Sequence, residues 1–363
     1  MRVAAGQLVA AIGVMLLCSA ARVAAGEARI PVIYSSDLLH PYDDPDDHYD
    51  LATLFAIPEF DVKAIVLDLG ERQAARSGRV PVEQMAAITG KRPPFAVGLA
   101  GKLKSTQDRA EDRPAAEQAG IELILRTLRE AEGGVTIITA GSLRDVAAAF
   151  LREPELFRTK ADRLYINIGS VDDVVEWNVS LDLEAFRVIM ASGLNVYWCP
   201  CLPMKPHRNS TYWKFRQAEV LEQLEPPLLN FFVYALQRIP PGEIDPAAAL
   251  RMDLRPYRHL PGTMDRNMWC TASFLHAGGY TVRVENNTFR VTRGPADGDA
   301  VFTFTPVAVE LDERGRTARM TPDAGSSLQV FETADPVRYG AAMLASLKQL
   351  LPRVGKRVGA SGE

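Results

Sequence analysis

Between Asp37 and Asp50 the sequence reads DLLHPYDDPDDHYD: Asp37, Asp43, Asp44, Asp46, Asp47 and Asp50, with His40 and His48 among them, directly after the apolar run IPVIYSS. Carboxylates this crowded repel one another unless some are protonated or a cation lies between them. Part of the cluster has an ordinary explanation. Asp44 can cap a helix, Pro45 suits its first position, and Asp46 and Asp47 favour the positive end of its dipole. That explanation omits Asp37, which ends the apolar run and so belongs at the same sheet edge as the start of the helix. Oxygen-rich clusters suit hard cations such as Ca²⁺ or Mg²⁺, which makes the turn a candidate metal site as well as a helix start. His40 and His48 are expected as solvated loop or helix histidines.

The elements that must carry this turn follow from hydrophobic periodicity. IPVIYSS, DVKAIVLDLG, GVTIITAG, RLYINIGSV and LNVYWCP are short apolar runs rich in β-branched residues, as buried strands require. Between them LATLFAIPEF, VEQMAAITG, AEQAGIELILRTLREAE, LRDVAAAFLRE and LEAFRVIMASG repeat apolar residues at helical spacing. The alternation predicts an α/β fold: a Rossmann-like open, mostly parallel sheet with helices on both faces. Ligands of such sheets lie beyond the carboxyl ends of the strands, where the acidic turn sits. From about residue 280 to 330 the pattern becomes alternating strands with turns at Asn286-Asn287 and Asp297-Gly298, a β-rich elaboration of the same domain. A closing helix is predicted over about 335–351.

Composition bounds the function. The 363 residues carry a formal charge of −4, with no basic footprint for nucleic acid or an anionic membrane. The first 25 residues or so, with Arg2, an apolar run and small residues ending near Ala25, have the layout of a cleaved secretory signal; an uncleaved anchor is the alternative. Export to the periplasm or medium is therefore expected, with residues 26–363 forming one domain free of the membrane. Beyond Cys18, the cysteines Cys199, Cys201 and Cys270 cannot all pair with one another, so disulfides do not staple the domain. The CPC motif lacks partners at ligand spacing and marks a buried strand end rather than a metal site.

The segment DDHYDLATLFAIPEFDVKAIVLDLG resembles the opening of the inosine-uridine-preferring nucleoside hydrolase family, in which a strand-end aspartate, two adjacent aspartates, a helix and PE lead into a second strand. The likeness continues in order through QMAAITGKRPPFAVGLAG, VTIITAGSLRDVAAAFLREPELF, LYINIGSV and EWNVSLDLEAFRVIMASG. It covers most of the chain to about Val196 and then weakens. The resemblance implies a Ca²⁺ ion that orients water for attack on the anomeric carbon of a ribosyl unit. On that reading Asp37 is metal ligand and general base, Asp47 the second aspartate ligand, Asp46 a ligand of ribose hydroxyls, and Ala140 a backbone-carbonyl ligand. Glu176 and Asn178 fall where the family contacts sugar hydroxyls, with Trp177 between them expected as packing.

Four departures qualify the likeness, one being that the segment from Asp172 to Val175 is shorter than the usual connection before EWN. The loop from Leu38 to Asp44 is longer than usual. Glu71 stands where the family commonly has asparagine, so it is expected to alter sugar recognition. A late His-Asp pair that supplies a metal ligand and meets the leaving base corresponds to Arg266-Asn267, which leaves Asn267 or nearby Asp265 to complete the shell and puts the leaving group in question. The function expected is hydrolysis of a nucleoside or related glycoside, with a homo-oligomer left open as the assembly. Alternatives are a hydrolase of this fold acting on another carbohydrate, or a non-catalytic binder of sugar or nucleoside. An aspartate phosphatase fits less well, since no accompanying lysine and phosphate-loop pattern follows.

Overall fold

The structure, a computed structural model, describes residues 29–254, 263–286, 288–295 and 300–356. The N-terminal stretch expected as a signal and the expected turn at Asp297-Gly298 lie outside the described residues.

The apolar runs form the strands β1 (Ile30–Ser36), β2 (Phe60–Leu67), β3 (Phe95–Val97), β4 (Val135–Ala140), β5 (Ala161–Asn167) and β6 (Val196–Cys199). The later strands are β7 (Trp213–Arg216), β8 (Asp265–Met268), β9 (Tyr280–Glu285), β10 (Thr288–Arg293), β11 (Phe302–Leu311), β12 (Thr317–Pro322) and β13 (Leu328–Thr333). The principal sheet has the order β12-β11-β13-β6-β5-β4-β1-β2-β3, parallel from β13 to β3 and antiparallel only where β11 meets β13 and β12. The C-terminal strands thus divide: β11 to β13 extend the principal sheet, whereas β9 and β10 pair as a separate ribbon.

Successive residues of a strand point to opposite faces, and this sequence is apolar on both. Val32 and Tyr34 of β1, Ile65 and Leu67 of β2 and Ile138 of β4 enter one core, with the helices Asp46–Ala56, Leu228–Leu236 and Pro336–Leu350. Ile33, Ala64, Val66 and Ile137 enter the other, with the helices Ala119–Glu130, Arg144–Arg152 and Leu183–Met190. Each large apolar side chain so buried contributes about 1.5–3 kcal/mol, which holds the parallel strands in register. The helix Leu228–Leu236 is buried on every side, as its sequence LLNFFVYAL requires. The closing helix, Pro336–Leu350, is capped by Asp335, which accepts from the Arg338 amide at 3.1 Å.

Register decides what meets at the carboxyl edge. Leu67, Ser36, Ala140, Asn167 and Cys199 form one row across β2, β1, β4, β5 and β6. The residues just beyond that row, Asp68 and Asp37, are consequently neighbours. Gly141 follows Ala140 with φ +146°, and a Cβ there would lie 2.9 Å from both the Asp37 nitrogen and Asp68 Oδ2. Glycine is what lets the two aspartates close over the end of β4.

Candidate active site

A cavity of 730 Å³ opens over that edge. Asp37, Asp46, Asp47 and Ala140 line its floor together with Asn167, Glu176 and Asn178. Asn267, Trp269 and Cys270 line it from the late segment, and Arg72, Arg76 and Trp177 from the loops that follow β2 and β5.

Each floor residue is placed by a local interaction. Ser36, the last residue of β1, donates its hydroxyl to Asp47 Oδ1 at 2.9 Å and accepts the Leu38 amide at 3.2 Å. Asp47 thereby joins the first turn of the helix Asp46–Ala56 to the strand end. Pro45, rather than Asp44, occupies the cap position of that helix, and no side chain caps it; Asp44 reaches only the Asp46 amide at 3.4 Å. Asp44 instead pairs with Arg266 at 2.8 Å. The expected helix-start role of Asp44 is therefore weak, because an arginine competes for its carboxylate.

Glu176 is buried and caps the helix Trp177–Leu181, accepting from the Asn178 amide at 2.9 Å, the Val179 amide at 3.2 Å and the Gly169 amide at 2.9 Å. Asn178 and Asn167 carry the clearest demand for a ligand. Asn167 donates its amide nitrogen to the Thr139 carbonyl at 2.8 Å, but its Oδ1 is buried without a partner, as is Asn178 Oδ1. Buried acceptors left unmade cost about 1–3 kcal/mol each, and both residues line the cavity, where a donor such as a sugar hydroxyl would satisfy them. Asn167 was not singled out from sequence; an asparagine closing the apolar run LYIN is the signal that marks it.

The acids need positive charge. Burial raises the carboxyl pKa of Asp37, Asp46 and Asp47 well above the usual carboxylate range. Like charges add to this: Asp68 acts on Asp37, Asp44 on Asp46, and Asp37 and Asp46 on Asp47. Arg72 offsets the rise in part at Asp37 and Arg266 at Asp46. Asp68, also missed in the sequence, is buried behind the floor and accepts from the Leu69 amide at 2.7 Å and from Ser142 N and Oγ at 2.7 and 2.9 Å.

Among the described residues no group of three or more His, Cys, Asp or Glu side chains is placed to hold a metal ion. The oxygen set suggested by the sequence contains only two such side chains, Asp37 and Asp47, and its other members are neutral: the Ala140 carbonyl and Asn267. The Ala140 carbonyl accepts from the Asp37 amide at 2.9 Å and Asn267 Oδ1 from the Tyr212 hydroxyl at 3.0 Å; each oxygen keeps a second lone pair. All four residues line the one cavity. An all-oxygen set beside mutually repelling carboxylates fits a hard cation.

Other sequence expectations fall elsewhere. Glu71 does not line the cavity; it lies on the neighbouring turn with its carboxylate 3.3 Å from Arg144. Asp265 is outside the cavity too, exposed beside Lys214 and Arg216 at 3.7 and 3.9 Å, so Asn267 is the residue of that pair that reaches the site. Arg266 is drawn to Asp44 and does not line the cavity. Trp177, expected as packing, is 59% exposed at the cavity mouth. His40 and His48 are buried, not solvated: His40 bonds the Ile239 carbonyl at 2.7 Å, and both His48 nitrogens lack partners.

The chain is 27% identical over 188 residues to the pyrimidine-specific ribonucleoside hydrolase RihA of Escherichia coli O1:K1 / APEC, which covers 46% of this chain and 58% of the relative. With RihA of Salmonella schwarzengrund the identity is 30% over 190 residues, with the same coverage. The chain thus spans less than two thirds of the length of these curated relatives. In fold it is similar to the plant nucleoside hydrolase PpNRh1, with a TM-score of 0.53, 16% identity, and coverage of 88% of this chain and 99% of that one. The purine-preferring ribonucleoside hydrolase of Gardnerella vaginalis gives a TM-score of 0.50 at 14% identity, covering 89% and 99%. Residues 42–335 match the inosine-uridine preferring nucleoside hydrolase family, and the chain belongs to that family.

Proposed function

We propose that the protein hydrolyses the N-glycosidic bond of a ribonucleoside in a calcium-dependent reaction. The observation that carries this reading is the convergence of Asp37, Asp46 and Asp47 with the unpartnered oxygens of Asn167 and Asn178 on one cavity floor. Family membership and the ribonucleoside hydrolase names of the relatives support it. Because those relatives are variously pyrimidine-specific and purine-preferring, the base is left open.

Asp37, Asp47, the Ala140 carbonyl and Asn267 would hold the ion. Calcium bound there supplies a polarised water of lowered pKa. Asp37 is placed to take the proton of the attacking water as its oxygen bonds to the anomeric carbon. The C–N bond breaks with its electron pair leaving on the base. Asp46 and Glu176 offset positive charge developing on the sugar, while Asn167 and Asn178 accept from its hydroxyls. Export, which the N-terminal sequence pattern supports, belongs to the same reading, and sequencing the mature N-terminus tests it.

Chromatographic detection of free base and ribose across a nucleoside panel tests the reaction. Multiple turnovers with at least one nucleoside, reduced at least ~100-fold by Asp37→Asn, are expected. Absence of turnover with every nucleoside, or an unaffected variant, overturns it. A second reading, hydrolysis of another glycoside, is favoured by Arg266, which stands where the resemblance implies a histidine that meets the leaving base and is instead engaged by the cavity-lining Asp44 at 2.8 Å. Turnover of non-nucleoside glycosides alone would select it.

A further inference from the structure

The cavity is chemically divided. Its floor is acidic, but Arg72 and Arg76 enter its wall from the turn after β2, and Trp177 stands exposed beside them with the Arg72 guanidinium 6.0 Å from its ring centroid. Nothing in the hydrolytic chemistry of the floor uses these two cations. Both are engaged by one carboxylate, Asp43, with Arg72 at 2.5 Å and Arg76 also in direct contact. Asp43 comes from the loop between Leu38 and Asp44, the segment that the sequence marks as extended, and its side chain is 49% exposed. The two arginine side chains are 31% and 33% exposed. An exposed ion pair of this kind contributes little to stability, and one carboxylate shared by two guanidinium groups leaves a net positive charge facing the cavity.

We infer that Arg72 and Arg76 form an anion subsite for a phosphate carried by the ribosyl substrate, with Asp43 occupying it as an internal stand-in, so that the preferred substrate class is a phosphorylated ribosyl compound rather than a bare nucleoside. Two forked guanidinium groups converging on the same acceptor suit the oxygens of phosphate, which bind such donors bidentately. A dianion outcompetes the monoanionic Asp43 for the pair. Trp177 adds an exposed aromatic face at the same mouth. Arg72 and Arg76 line the same cavity as Asp37 and Asp46, which ties the subsite to the floor where the sugar would lie.

This inference rests on the ribosyl reading of the floor but is tested without turnover. Calorimetric titration of the full chain with ribose and with ribose 5-phosphate, neither of which has an N-glycosidic bond to cleave, measures the phosphate's contribution. Ribose 5-phosphate is expected to bind about 10- to 100-fold more tightly than ribose. Arg72→Ala and Arg76→Ala should each remove at least about tenfold of that preference. Asp43→Asn, a change at an exposed site, should raise phosphate affinity several-fold by freeing the pair. Equal affinity for the two sugars, failure to bind either, or a preference unchanged in the arginine variants overturns the subsite. An Asp43→Asn variant that loses stability without gaining affinity would also overturn it, by showing that the trio only clips the loop. Lack of nucleoside turnover would instead count against the proposed hydrolysis and leave a measured phosphate preference standing.

Discussion

The Ser36 hydroxyl donates to Asp47 Oδ1 at 2.9 Å, joining the last residue of the first strand to the first turn of the helix that follows. This bond fixes which way Asp47 faces, since its carboxylate is otherwise surrounded by the like charges of Asp37, Asp46 and Asp50. Ser36→Ala should leave the fold intact at a cost of about 1 kcal/mol. It should weaken calcium binding roughly tenfold, as loss of a group that orients a ligand does. Paired thermal melts and calcium titrations of the variant check both values.

Asn167 and Asn178 are expected to act on substrate through their unpartnered oxygens. Asn178→Ala should lower kcat/KM by about 10- to 100-fold, equivalent to about 1.5–3 kcal/mol, with little change in melting temperature. Asn167→Ala should show a similar kinetic loss plus about 1 kcal/mol of destabilisation, because its bond to the Thr139 carbonyl is lost as well. Steady-state kinetics alongside urea unfolding separates the two effects.

Arg144 is 1% exposed and supports the floor from below. It lies 3.8 Å from Asp68 and 3.9 Å from Asp182, and donates to the Ala100 and Leu181 carbonyls at 3.0 and 3.1 Å. Arg144→Met would strand buried carboxylates and is expected to cost about 3–5 kcal/mol. Glu71→Ala, which removes only its 46% exposed partner, should cost less than about 1 kcal/mol. Urea denaturation midpoints of the two variants should therefore differ widely; similar midpoints would contradict the supporting role of Arg144.

His276 sets an acid limit on stability. Its Nδ1 lies 2.7 Å from the Tyr165 hydroxyl, and its ring packs on Phe304 with centroids 4.6 Å apart. Burial, reinforced by the charge of Arg163, lowers its pKa to about 4. The folded protein therefore keeps His276 neutral while the unfolded chain protonates it near pH 6.5, so the unfolded state binds more protons between these values. Stability should be fully present above pH 6.5 and fall as pH drops toward 4, by about 1–3 kcal/mol from this residue. His276→Gln should flatten the decline in a series of thermal melts over that range.

The sequence showed most clearly what depends on local pattern. Asp37 could be placed at a strand end because IPVIYSS is a continuous apolar run, and Asp46-Asp47 at a helix start because Pro45 precedes them; the structure brings these positions to one edge. Asn167 was less visible, since a lone asparagine closing a strand has no distinctive spacing, and its meaning comes from the register that aligns it with Ala140 and Ser36. Asp68 and Arg144 are far apart in sequence and meet only through the close approach at Gly141 and Ser142. The stretch from Cys201 to Asp265 was the least legible. Its helix Leu228–Leu236 is apolar on all sides, and β7 pairs with a strand about fifty residues away. Pairing of that kind is decided by tertiary contacts, not by local periodicity.

The most direct measurement is calorimetric titration of calcium into chelator-stripped protein, comparing the native chain with Asp47→Asn. One saturable site in the native chain, weakened at least about tenfold by the substitution, is the result expected if the crowded acids surround a cation. No calcium binding by the native chain, or an affinity unchanged in Asp47→Asn, would contradict it.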